Sequence, residues 1–210
     1  MGTTARHFCV LLPGIFIVYQ SIAQNYVTNQ PPLVPQKYIE LPLGSVKPQG
    51  WLLEQLTIMN KGLTGHLEEV YPAISKDNGW LGGTGESLEA TPYWLDGALP
   101  LAWLLDDPVL KGKVLKYIDW VLDNQRPSGY FGPYTKYERD SGAKVENINQ
   151  GDDLWPRMVM LKVLQQHYSA TGDKRVIPFM TRYFRFQYEN LTDTTRLINR
   201  YIEQTANSRC

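Results

Sequence analysis

The chain has little cysteine, little histidine and no surplus of either charge. Only Cys9 and Cys210 are cysteines. Cys9 falls in the first apolar run and Cys210 is the last residue, so no internal disulfide is expected once the N-terminal segment is removed. The histidines, His7, His66 and His167, are scattered, without the spacing of a metal-ligand set. Basic and acidic residues number 21 each, and no basic patch stands out. That balance argues against nucleic acid as a partner. Long apolar runs are missing too. The best candidate, residues 8–18, is short for a bilayer span and is broken by Pro13-Gly14. Arg6 and His7 precede it, and Ser21-Ile22-Ala23 follows with small residues suited to cleavage. The expectation is a secretory signal over 1–23, an exported protein, and no membrane contact after the signal is removed.

Aromatic residues are plentiful, with six Trp and 13 Tyr. Several of them fall beside carboxylates. Residues 82–97 read GGTGESLEATPYWLDG and place Glu86, Glu89 and Asp96 around Tyr93 and Trp94. Carboxylates move protons at a glycosidic oxygen, and flat aromatic rings stack on the apolar face of a sugar. A second cluster, Asp152, Asp153 and Trp155, has the same style.

Residues 24–49 are proline-rich and lack a helical period, which predicts an extended lead-in with a short strand over 38–43. Helical spacing begins at Gly50: Trp51, Leu52, Leu56 and Met59 form a stripe that Leu63 and Leu67 continue past Gly62. Residues 70–85 read as a loop. A helix is predicted over 92–105 with Thr91 as its cap, and another opens at Asp107-Pro108. Further helices are predicted over 153–170, ended by Gly172, and over 174–190. An echo at an offset of 66 residues pairs Asp107 with Asp173, Leu110 with Val176, Val114 with Met180, Tyr117 with Tyr183, Ile118 with Phe184 and Trp120 with Phe186. Chance similarity of two amphipathic helices is one reading. Repeated helical hairpins are the other, and they give an all-α protein of the α/α-toroid type.

Three stretches carry a resemblance: GWLLEQLTIMNKGLTGHLEE (50–69), GGTGESLEATPYWLDGALPLAWLLDD (82–107) and YIDWVLDNQRPSGYFGP (117–133). Together the chain over 41–191 resembles the N-terminal part of glycoside hydrolase family 127, the bacterial β-L-arabinofuranosidases and their relatives. The resemblance implies an (α/α)6 barrel followed by β-sandwich domains and retaining hydrolysis of terminal L-arabinofuranosides on plant-derived glycans; the signal reading places the exported chain in the periplasm or outside the cell. It implies a cysteine thiolate nucleophile held on zinc by Cys and Glu ligands, with another Glu as general acid/base. No stretch of this chain matches those positions, so no catalytic residue is assigned and no zinc is expected on it. The six or seven helices expected over 50–191 make an incomplete toroid, inactive alone, whose exposed apolar faces favour self-association. Residues 192–210 are set apart as a divergent tail.

The candidate substrate-binding residues are Glu86, Tyr93, Trp94, Asp96, Asp152 and Trp155. Each has a plainer alternative. Trp94 also suits the core, Asp96 a helix N-terminus, and Asp152 an N-cap. His66 and His167 are better read as a solvated and a structural histidine. A polysaccharide lyase or glucuronyl hydrolase on the same scaffold, or a non-catalytic glycan-binding protein, stays open beside the arabinofuranosidase.

Overall fold

The structure, a computed structural model, describes residues 28–75, 77–83, 89–133 and 154–190. Residues 1–23, read from the sequence as a secretory signal, Glu86, Asp152 and residues 192–210 lie outside them. Among the described residues the regular structure is helical, and its core is two hairpins. The first pairs α4 (Ala90–Leu105) with α5 (Pro108–Asp123). The second pairs α6 (Trp155–Thr171) with α7 (Val176–Asn190). Ahead of them come α1 (Gly50–Lys61), α2 (Leu63–Val70), α3 (Pro72–Ser75) and a 3-10 turn at Gly79–Leu81.

Local chemistry explains the hairpin turns. Asp107 accepts from the backbone N–H groups of Val109 and Leu110, and Pro108 sits where a helix needs no donor. Gly172 ends α6 in the left-handed region, with φ 69°, as a C-terminal glycine should. Asp173 repeats the role of Asp107, accepting from the N–H of Arg175. The echo therefore holds at the turns. Leu110 and Val176 are both buried, as are Tyr117 and Tyr183. It drifts further on: Ile118 is buried, whereas Phe184 is half exposed.

α4 and α6 are neighbours that run in parallel, because Tyr93 meets Trp155 near their starts and Asp96 meets Lys162 and Gln166 further along. α5 and α7 form the adjacent pair. Arg175 at the start of α7 reaches Asp119 and Asp123 of α5 at 2.6 and 3.0 Å. Gln125, just past α5, donates to Phe179 O at 3.0 Å and accepts from Arg182 at 2.6 Å. The turn at 129–132 inserts Tyr130 and Phe131 into the core, where Phe131 packs edge-on against Phe179 and Tyr183. Gly132, with φ 94°, allows this: a Cβ there would come within 2.8 Å of the Trp80 ring. Parallel inner helices backed by parallel outer ones are the arrangement of an α/α toroid, and the described residues build an arc of one.

Four sequence expectations change. Residues 38–43 form no strand; no neighbouring strand is present among the described residues, and Leu43 N–H instead donates to Ser169 Oγ on α6 at 3.1 Å. The stripe through Gly62 is broken into α1 and α2, because Gly62 leaves the helical region at φ −92°, ψ −151°. The loop over 70–85 contains α3 and the 3-10 turn, capped by the Asn78 side chain on Trp80 N–H. Thr91 is not a cap. It lies inside the first turn of α4, buried, and its hydroxyl accepts from Asn78 Nδ2 at 2.8 Å.

Candidate functional site

α4 divides its residues between two faces. Leu95, Ala98, Leu99, Leu101 and Ala102 enter the core. Tyr93, Asp96, Gly97 and Pro100, three to four residues apart, line the opposite side. On α6, Pro156, Met160, Val163 and Leu164 face inward, and Trp155, Met158, Lys162 and Gln165 face outward. Since the helices run in parallel, the two outward stripes meet in one surface.

Three of the sequence-predicted residues come together there. Trp155 Nε1 donates to the Tyr93 hydroxyl at 2.8 Å, and both rings are about half exposed, at 54% and 47%. Tyr93 keeps its own proton to donate. Along the same seam, Asp96 receives Lys162 Nζ on Oδ2 at 2.9 Å and Gln166 Nε2 on Oδ1 at 2.8 Å. Asp96 is the seventh residue of α4, beyond the turn where the helix dipole acts, so its partners on α6 account for its position.

Pro100 adds a further link. It has no N–H to return to the carbonyl four residues earlier, which belongs to Asp96. The Gln166 amide stands 3.5 Å from that carbonyl and takes up part of the lost bond. One glutamine thus holds both the side chain and the backbone of Asp96.

Trp94 is elsewhere. It is 6% exposed, donates Nε1 to Thr64 O at 2.9 Å, and meets Tyr117 edge-on at 5.4 Å. Adjacent residues on a helix point about 100° apart, so Tyr93 takes the outer face and Trp94 packs. Burial pushes the Tyr117 phenol up to about 12, which fits its role as a donor to Ile74 O. His167 is buried, bonded through Nε2 to Asp173, with Trp103 edge-on to its ring. His66 is exposed beside Glu69. Neither histidine is on the α4–α6 surface. Glu86 and Asp152 lie outside the described residues.

Sequence reading missed Lys162 and Gln166. A faint signal was present: Lys162, Gln165 and Gln166 place polar groups at one-turn spacing just after the apolar run 158–161.

The arrangement suits binding more than bond cleavage. Two aromatic faces with polar edges, a carboxylate, an ammonium and an amide match the mixed apolar and hydroxyl surface of a sugar. Both oxygens of Asp96 already hold donors from α6. Among the described residues no group of three or more His, Cys, Asp or Glu could hold a metal ion. The described side chains of the seam therefore do not make a zinc site. No described helix is long and apolar enough to cross a membrane.

Comparison with known proteins agrees with the fold. No curated protein and no solved structure matches the chain. The family described as beta-L-arabinofuranosidase, GH127 catalytic domain, matches it over residues 11–206. That span runs through most of the tail that the sequence alone set apart. It takes in both hairpins and the whole α4–α6 surface, and the chain belongs to the GH127 beta-L-arabinofuranosidase catalytic-domain family.

Proposed function

We propose that this chain supplies a sugar-binding wall of a β-L-arabinofuranosidase that acts on plant-derived glycans outside the cytoplasm. The supporting observation is the seam between α4 and α6. There the hydrogen-bonded Tyr93–Trp155 pair lies beside the Asp96–Lys162–Gln166 cluster. The rings cover the C–H face of a furanose. The Tyr93 hydroxyl, the Lys162 ammonium and the Asp96 carboxylate exchange hydrogen bonds with its hydroxyls. The chain binds the sugar and does not cleave it alone, because the described seam offers neither a paired carboxylate nor an activated nucleophile.

Calorimetric titration with methyl β-L-arabinofuranoside tests the binding. Measurable affinity is expected, lowered about tenfold by Trp155→Ala and by Asp96→Ala, which is about 1.4 kcal/mol. Wild-type affinity in both variants would place the sugar elsewhere. Release of aryl alcohol from an aryl β-L-arabinofuranoside by the purified chain would overturn the claim of inactivity.

A further inference from the structure

The Tyr93–Trp155 pair stands on the first turns of two helices, and both turns are held in an unusual way. Asp107 caps α5 with its side chain, but Glu89 ahead of α4 and Leu154 ahead of α6 make no such bond. Both turns are gripped from the buried side instead. Two residues along a helix turn through about 200°. Thr91 therefore points inward where Tyr93 points outward, and Arg157 inward where Trp155 points outward.

Beneath α4, the Asn78 amide donates to the Thr91 hydroxyl at 2.8 Å and to Ile74 O at 2.5 Å, and its oxygen accepts from Trp80 N–H at 2.8 Å. Beneath α6, Arg157 Nε donates to Phe131 O at 2.8 Å and Nη2 to Pro133 O at 3.3 Å. The guanidinium lies 4.4 Å from the centre of the Tyr130 ring. The two grips meet in the middle, where the Trp80 ring rests on Gly132 with its centre 6.2 Å from that of Phe131.

The residue types separate positioning from mere packing. Arg157 is wholly buried and cannot shed its charge, and a buried charge is a poor source of stability beside an apolar residue of the same volume. What an apolar residue lacks is a rigid fork that fixes the angle of a helix against a turn. Asn78, also buried, serves three partners in three directions, which an apolar side chain cannot do.

We propose that Asn78, acting through Thr91, and Arg157 are positioning residues for the seam. They set the two first turns and so hold the Tyr93 and Trp155 rings at the spacing of their 2.8 Å hydrogen bond. The effect on sugar binding rests on the reading of the seam as a sugar site; the placement of the rings is measured without sugar.

The test follows the Trp155 indole N–H of the full chain by proton–nitrogen correlation NMR, the resonance being assigned by its loss in Trp155→Phe. Tyr93→Phe removes the acceptor and gives the position of the broken bond. Arg157→Lys keeps the charge without the fork, and Thr91→Val keeps the shape without the hydroxyl. Each should move the resonance toward that position and weaken calorimetric binding of methyl β-L-arabinofuranoside about threefold. Thr91→Val carries the test if Arg157→Lys lacks the wild-type circular dichroism. Leu110→Ala, a core truncation at the other end of the α4–α5 hairpin, should lower the urea midpoint and leave the resonance in place. A resonance unmoved in both variants, or moved as far by Leu110→Ala, overturns the positioning role and leaves the seam standing as a sugar site. Moved resonances in a chain whose wild type binds no sugar uphold the positioning role and overturn the reading of the seam.

Discussion

Two tryptophans separate packing from recognition at the level of single residues. Trp94 and Trp155 both stood beside acidic residues in the sequence, and both were candidate sugar platforms. One is sealed in the core with its N–H on a backbone carbonyl; the other presents its ring to solvent and its N–H to Tyr93. Their truncations should therefore diverge. Trp94→Ala leaves a cavity between α4, α5 and α2 and should cost ~3–5 kcal/mol of stability in urea unfolding. Trp155→Ala loses an exposed hydrogen bond and should cost under about 1 kcal/mol, yet weaken sugar binding. The reverse ranking would mean that the two roles have been exchanged. The sequence showed that aromatic and acidic residues were concentrated here. It could not show which ring faced outward, because that depends on which face of α4 packs against α2 and α5, a contact distant in sequence. Lys162 and Gln166 were hidden for a different reason: their importance comes from a contact across some seventy residues of chain, with |i−j| of 66 and 70.

Helix ends were the most legible elements, since their signals are local. Asp107-Pro108 and Gly172 were placed from residue chemistry alone, and the structure puts a cap or a helix end at each. The strand over 38–43 failed because pairing is not local, and no partner strand lies among the described residues. The caps also bear on stability. Asp107 serves two backbone donors and the Asn60 amide, so Asp107→Ala should cost ~1–2 kcal/mol in urea unfolding. A cost near zero would mean that solvent replaces the cap. Asp173 gives the corresponding effect in acid. Hydrogen bonds from the Arg175 side chain, then its backbone N–H, then His167, hold the Asp173 carboxyl well below the usual carboxylate range, against the opposing effect of burial. In the unfolded chain the same group binds a proton near pH 3.9. As pH falls below about 4 the unfolded state takes up the proton first, so this contribution to stability is lost with acid and is present above that pH. Asp173→Asn should flatten the fall in urea midpoint between about pH 5 and pH 3. An unchanged acid slope would assign it to other carboxylates, such as Asp107 and Glu69, whose pKa values are also lowered.

The whole molecule presents one flank unlike the rest. α1 buries none of its residues completely, and Trp51 and Ile58 are 78% and 64% exposed. Seven residues apart, they share one side of the helix, with Leu63 and Val70 exposed on α2 beyond them. Leu56 and, on α2, Leu67 pack against the core, and hydrogen bonds from Asn60 to Asp107, from Trp94 to Thr64 O and from Lys113 to Gly65 O tie this flank to it. Isolated exposed apolar residues are ordinary, but rows of them on neighbouring helices favour burial against another surface. In a toroid, each hairpin covers the flank of the next, and α4 and α6 show how such flanks close: apolar residues inward, a polar seam outward. The α1 flank has the apolar residues without the covering helix among the described residues. At equilibrium, the chain should therefore self-associate through this flank as its concentration rises. Sedimentation velocity over a concentration series should show a rising weight-average coefficient. Trp51→Glu combined with Ile58→Lys should suppress the rise without loss of helical circular dichroism, because neither side chain contributes to the core. If the double variant associates as the wild type does, the contact lies on another face, and the half-exposed Phe184 and Ile177 on α7 become the residues to change next.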